Sequence, residues 1–199
     1  LPACDKTAKK ETGETTATET PKVSVPAFNA DSAYQFVAKQ VSFGPRVPNT
    51  PAHQACGDYL ISTLKGYGAA VQVQPFTAKT YNDKVLDLRN IMAQINPKAD
   101  KRILLAAHWD TRHLADKDPA HPTKPIDGAN DGASGVAVLL EIARQLQANP
   151  LPNNIGVDIL LFDGEDYGQP DNAGEYIPDT WCLGSQYWAQ NPMPKGYNA

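Results

Sequence analysis

Arg102-Ile103-Leu104-Leu105-Ala106-Ala107-His108-Trp109-Asp110 sets a run of apolar residues directly against a histidine and a carboxylate. The stretch Arg102 to Ala107 is nearly continuous in apolar character, which suits a strand buried on both faces of a sheet. The pattern returns downstream, where a second buried strand, Val157 to Phe162, runs into Asp163-Gly164-Glu165-Asp166. Between them Ser134 to Gln147 carries Leu139, Ile142, Ala143 and Leu146 on one helical stripe. Asp127-Gly128-Ala129-Asn130-Asp131-Gly132-Ala133-Ser134-Gly135 leads into that helix.

Working outward, Asp31 to Val41 is predicted as a helix capped by Asp31. Tyr34, Val37, Ala38 and Val41 form its stripe, with Phe36 beside it. Thr50-Pro51 opens a second helix through a capping hydroxyl and a first-turn proline. Cys56, Tyr59, Leu60 and Leu64 share its inner face, and Gly66 ends it. Ala69 to Phe76 alternates as a strand, with Val71 and Val73 on one side and Gln72 and Gln74 on the other. Val85 to Ile95 is the next strand, closed by Asn96-Pro97. Cys182 to Gln190 starts a last helix. Strands alternating with helices argue for an α/β sandwich with a mixed sheet.

The composition agrees. The chain has 199 residues, 41% hydrophobic and 20% charged, with 17 prolines and 14 glycines spread through many loops. Its length supports one domain with a real core. A net charge of −4 argues against nucleic acid as a partner, because phosphate binding wants a basic surface. No apolar run reaches the roughly 20 residues of a membrane-spanning helix.

The N-terminus reads as an address. Leu1-Pro2-Ala3-Cys4 has the form in which a bacterial lipoprotein signal ends, which makes Cys4 the lipidated residue and residues 1–4 a signal remnant. Residues 5–28 follow as a disordered tether rich in Thr, Lys and Glu, and residues 29–199 form the α/β catalytic domain. The location that follows is a lipid-anchored one, in the bacterial periplasm or at the outer membrane, with the lipid as the sole membrane contact. Cys56 and Cys182 remain, either as a disulfide or as free thiols.

In open α/β sheets, ligands bind beyond the carboxyl ends of the strands. His108, Asp131, Glu165 and Asp166 occupy such positions and can converge on one point. Carboxylates and imidazole are natural zinc ligands. Asp110 can orient the His108 imidazole, and adjacent Glu165 and Asp166 can divide the roles of general base and ligand. Trp109, Tyr167 and Trp181 can line a pocket or belong to the core. The long loop 113–130 is expected to cover the site.

His-x-Asp, Gly-Ala-Asn-Asp-Gly-Ala-Ser-Gly and Phe-Asp-Gly-Glu-Asp together resemble the zinc aminopeptidase superfamily. Within it, Ala107 to Arg112, Glu165-Asp166-Tyr167-Gly168 and Trp181 to Ala189 are most similar to the animal-like glutaminyl-peptide cyclotransferases of Bacteroidetes-type bacteria. The resemblance covers about residues 30–199. It implies a zinc-exopeptidase-like three-layer sandwich with a mixed, mostly parallel central sheet, of which this chain is the N-terminal portion. It further implies one zinc held by Asp131 and Asp166, Glu165 as the general acid/base, and peptides or proteins with N-terminal Gln as substrates. His108 becomes site lining or, in a two-zinc aminopeptidase, a second-metal ligand; Asp110 becomes its orienting partner, and Asp163 part of an acidic network. The family's third zinc ligand is a histidine near the end of a longer chain, and His53, His113 and His121 lack its context. The alternatives are the two-zinc aminopeptidase and a non-catalytic surface lipoprotein that keeps the fold as a binding module.

Overall fold

The structure is a computed structural model that describes residues 25–194. Cys4 and the tether up to residue 24 lie outside the described residues. Residues 25–28 are exposed and carry no regular structure. No helix among the described residues is long and apolar enough to cross a membrane.

Helices α1 (Ala30–Val41) and α2 (Pro51–Gly66) precede strands β1 (Ala70–Lys79), β2 (Val85–Ile95) and β3 (Lys101–His108). Helix α3 (Ala133–Ala148), strand β4 (Ile155–Phe162) and helix α4 (Leu183–Gln190) complete the order. The strands pair as β1-β2-β4-β3. The β1/β2 and β2/β4 pairings are antiparallel and β3/β4 is parallel. The sheet is mixed as expected, but its described part is mostly antiparallel rather than mostly parallel. Only β3 and β4 are joined by a helical crossover, whereas β1 returns directly into β2 through a tight turn.

The pleat of the two inner strands builds the layers. Ile91, Ala93, Val157, Ile159 and Leu161 face Cys56, Leu60 and Leu64 of α2 and Val136, Leu139, Leu140 and Ala143 of α3. Met92 and Leu160 point the opposite way and meet Trp188 of α4. Burying both faces of these strands makes the three-layer sandwich.

Local chemistry explains where the elements start. Thr50 accepts from the His53 N–H, and Pro51 opens α2 as expected. Helix α1, in contrast, is capped by Asn29, whose side chain accepts from the Ser32 N–H, and not by Asp31. Asp31 lies in the first turn, where its charge still favours the helix dipole. The inner stripe of α1 turns accordingly: Phe36 packs on the core and Gln40 is fully buried, while Tyr34 is 70% exposed. Gln40 spends its amide on the Phe36 and Ala133 carbonyls, which lets a polar residue replace an apolar one against α3.

Strand β3 departs most from expectation. Ile103 is 53% and Leu104 37% exposed, because β3 is an outer strand of the described sheet and pairs only with β4 there. In β1, it is Gln74 and Phe76 that are buried while Val73 is partly exposed. Gln74 bonds Asn90 and the Asn191 carbonyl, so its polarity is satisfied inside.

Candidate active site

The carboxyl ends of the parallel pair β3 and β4 bring the candidate residues together. His108 ends β3, and Trp109 N–H donates to the Phe162 carbonyl at 3.0 Å, locking the two strand ends side by side. The chain then places Asp110 beneath the loop that follows β4. Asp110 is fully buried, and its oxygens accept from the backbone N–H of Glu165 at 3.0 Å and of Asp166 at 3.1 Å. Its role is therefore broader than orienting an imidazole: the His108 Nδ1 is 3.5 Å away, while the two amides fix the adjacent acids. A carboxylate accepting two backbone N–H groups is a strong, directional anchor.

The loop bearing Asp131 is held from a different direction. Arg46, fully buried in the segment between α1 and α2, donates to the carbonyls of Asp127 and Gly128. Gly132 adopts φ 93, and a Cβ there would lie 2.6 Å from the Asp110 carbonyl oxygen. Only glycine allows that approach, which carries the chain from the Asp131 loop into α3. Asp131 does not cap α3, which has no side-chain cap. Its carboxylate is free for the site and accepts from the His108 Nε2 at 2.9 Å. Arg46 is a positioning residue that sequence reading missed, since a lone arginine before a proline-rich turn carries no spacing signal.

Electrostatics separates the members. Asp166 is buried, and burial raises its pKa to about 7, with Asp131, Asp110 and Glu165 adding to the rise and Arg112 opposing it. Its Oδ1 lies 3.4 Å from the Arg112 guanidinium, while Oδ2 is buried without a hydrogen-bond partner. Burial alone would lower the His108 pKa, but Asp110, Glu165 and Asp131 together outweigh it and bring it to about 9. His108 bonds Asp131 through Nε2. The Glu165 side chain is one-third exposed, with Oε2 3.8 Å from the His108 Nδ1 and Oε1 3.3 Å from the Cys182 Sγ. Burial and this carboxylate raise the thiol to about 11. Cys56 is buried, and burial lifts its pKa to about 12; neither cysteine is bonded in a disulfide.

Other expected residues lie apart. Asp163 is fully buried, bonded to His53 at 2.8 Å and to the Arg89 N–H. Burial raises its pKa against the lowering pull of His53. Behind it the His53 ring stacks on Trp109 at 4.3 Å. The pair ties α2 to the strand ends and supports the site from below. His113 stacks on Tyr167 and meets the Tyr81 hydroxyl, and His121 is exposed beside Asp118. Among the described residues, none of these three histidines bonds Asp131, Glu165 or Asp166. Trp109 and Tyr167 are core residues, while Trp181 borders a cavity of about 380 Å³ with Arg112, Leu114 and Ile126. Loop 113–130 walls that cavity, and Asp131 stays largely exposed.

The arrangement suits a cation. Among the described residues, Asp166 Oδ2 is a buried acceptor with no hydrogen-bond partner, set among acids that raise its pKa, and the Asp131 carboxylate accepts from His108 Nε2. Among the described residues no three such side chains gather closely enough to hold a metal alone. Asp131 and Asp166 supply carboxylate oxygens of the kind that bind metal cations.

A three-layer α/β sandwich with a cluster of acids beyond its parallel strand ends has the exopeptidase-like fold. The chain is a member of peptidase family M28, which matches residues 90–199. It is 30% identical over 125 residues to the glutaminyl-peptide cyclotransferase of Drosophila melanogaster, a match covering 61% of this chain and 33% of that protein. The crystal structure of Tannerella forsythia glutaminyl cyclase is 55% identical with a TM-score of 0.83, over 87% of this chain and 60% of that one. A Zn-dependent exopeptidase from Parabacteroides distasonis is 53% identical with a TM-score of 0.84, over 88% and 60%. The chain thus spans about a third of the curated relative and three-fifths of the solved structures.

Proposed function

We propose that the protein to which this chain belongs is a zinc-dependent glutaminyl-peptide cyclotransferase. It converts N-terminal Gln, and more slowly Glu, to pyroglutamate, releasing ammonia from Gln. The observation that carries the reading is the division of labour between neighbours on one anchor. Asp110 holds both amides, so Asp166 turns an unpartnered oxygen into the acidic cluster while Glu165 stays partly exposed. The similarity to glutaminyl cyclases supports the same conclusion.

In this reading Asp131 and Asp166 hold one zinc together with a histidine outside the described residues. Zinc, when bound, supplies Lewis acidity to the γ-carbonyl of the substrate. Glu165 accepts a proton from the attacking α-amine and returns it to the departing nitrogen. Asp110 keeps that carboxylate at a fixed height above the strand ends. His108 donates to Asp131 and lines the site, and the buried Asp163–His53 pair keeps the loop rigid. The nucleophile belongs to the substrate itself, so no activated water is required.

The natural partners are then peptides or proteins beginning with Gln. Lipid at Cys4 and a tether of residues 5–28 would place the enzyme at a bacterial membrane facing the periplasm or outside. The test uses the full-length protein with zinc. A Gln-initiated dipeptide should lose ammonia with both residues still joined, and a Leu-initiated peptide should stay intact. Cleavage of the Leu peptide would establish the two-zinc aminopeptidase instead, with His108 as a ligand. Neither reaction in folded protein would leave a binding module.

A further inference from the structure

The segment entering α4 crosses the loop that carries Glu165. Cys182 N–H donates to the Glu165 carbonyl at 2.9 Å, and Leu183 N–H to the Gly164 carbonyl at 3.1 Å. Gly184 makes the crossing possible, since a Cβ there would lie 2.3 Å from the Asp163 carbonyl oxygen. Gly168 does the same for Trp181, whose indole occupies the space a side chain would need. The two segments are therefore stapled at both ends of the Glu165 loop.

Cys182 sits in the middle of the staple at φ 58, a left-handed conformation that is strained for a residue bearing a Cβ. Glycine would adopt it freely. The thiol does not cap the helix that follows. It points instead at Glu165, with Sγ 3.3 Å from Oε1. The other carboxylate oxygen, Oε2, is left facing His108 and the open side of the site.

We propose that Cys182 is a positioning residue for Glu165, its S–H donating to Oε1 so that Oε2 is the oxygen presented to the substrate amine. The inference rests on the cyclotransferase reading for its kinetic consequence, and on this chain's own geometry for the contact. A carboxylate on a flexible side chain has several rotamers, and one fixed hydrogen bond selects among them at small cost. A thiol is a weak donor, so the effect is modest and falls on the chemical step rather than on binding.

The test uses the full-length, zinc-loaded protein. Cys182→Ala should lower kcat about three- to tenfold, with KM within about twofold, as expected for losing one weak bond to a charged group. Zinc content should be unchanged. Cys182→Ser keeps a donor at the same place and should recover most of the loss, which a packing role would not require. The S–H stretch of Cys182, isolated by subtracting the infrared spectrum of Cys182→Ser, should lie at low wavenumber and rise in Glu165→Ala. An alanine variant with full kcat, a serine variant as slow as alanine, or an S–H band indifferent to Glu165 would each overturn the proposal. If the wild type cyclises no Gln peptide, the functional reading fails, and the infrared band still decides the contact.

Discussion

Asp166→Asn probes the electrostatic tension of the site. Its carboxylate is 7% exposed and faces Asp131, Asp110 and Glu165, with only Arg112 opposing them. Burial and these neighbours lift its pKa from 3.8 to about 7. An acid with a raised folded pKa stabilises the fold fully below its unfolded pKa, and that contribution is lost as pH rises through the folded value. Above pH about 7 the metal-free protein therefore carries an unfavourable buried anion. At about 1.4 kcal/mol per pH unit the gap caps the penalty at about 4 kcal/mol. The exposed Asp131 side of the cluster screens it to about half of that. Asparagine has the same shape and no charge. In chelator-treated protein, Asp166→Asn should therefore gain about 2 kcal/mol over wild type at pH 8, with a much smaller gain at pH 5. Denaturant titrations at both values measure it, and added zinc should stabilise wild type but not the variant. A variant less stable than wild type at pH 8, or a gain independent of pH, would refute the reasoning.

Gly132→Ala should cost about 2–4 kcal/mol, because φ 93 and the close Asp110 carbonyl both oppose a methyl group; a loss below about 1 kcal/mol in denaturant melts would show that the α3 entrance can yield. For His113, burial, with Arg112 and Lys84, lowers the pKa from 6.5 to about 4. The unfolded chain then takes up a proton that the fold refuses, so stability falls as pH drops from 6.5 toward 4. His113→Phe keeps the stack on Tyr167 and should flatten that part of the stability–pH curve; an unchanged slope would place the titration elsewhere.

Much of the architecture was legible because apolar period and punctuation agree. Thr50-Pro51 starts α2 and Val85–Ile95 is β2, as the sequence alone predicts. The grouping of His108, Asp131, Glu165 and Asp166 was also legible, since each follows a strand or precedes a helix at one end of the sheet. What sequence could not show was how tertiary contacts reassign polar groups. Asn29 took the cap from Asp31, and Gln40 and Gln74 went inside because distant partners satisfied them. Asp110 became an anchor for two amides more than 50 residues away in sequence, a contact with no local signature. Strand β3 reads as doubly covered, yet pairing is set by neighbours and not by its own residues.

In the proposed reaction Glu165 moves protons while Asp166 binds metal. Zinc content and Gln-peptide turnover, measured together on full-length Glu165→Gln, test this directly. Zinc should remain as in wild type, while turnover falls at least about a hundredfold, as for loss of a general acid/base. Loss of zinc with Glu165, or turnover that survives its replacement, would contradict the assignment.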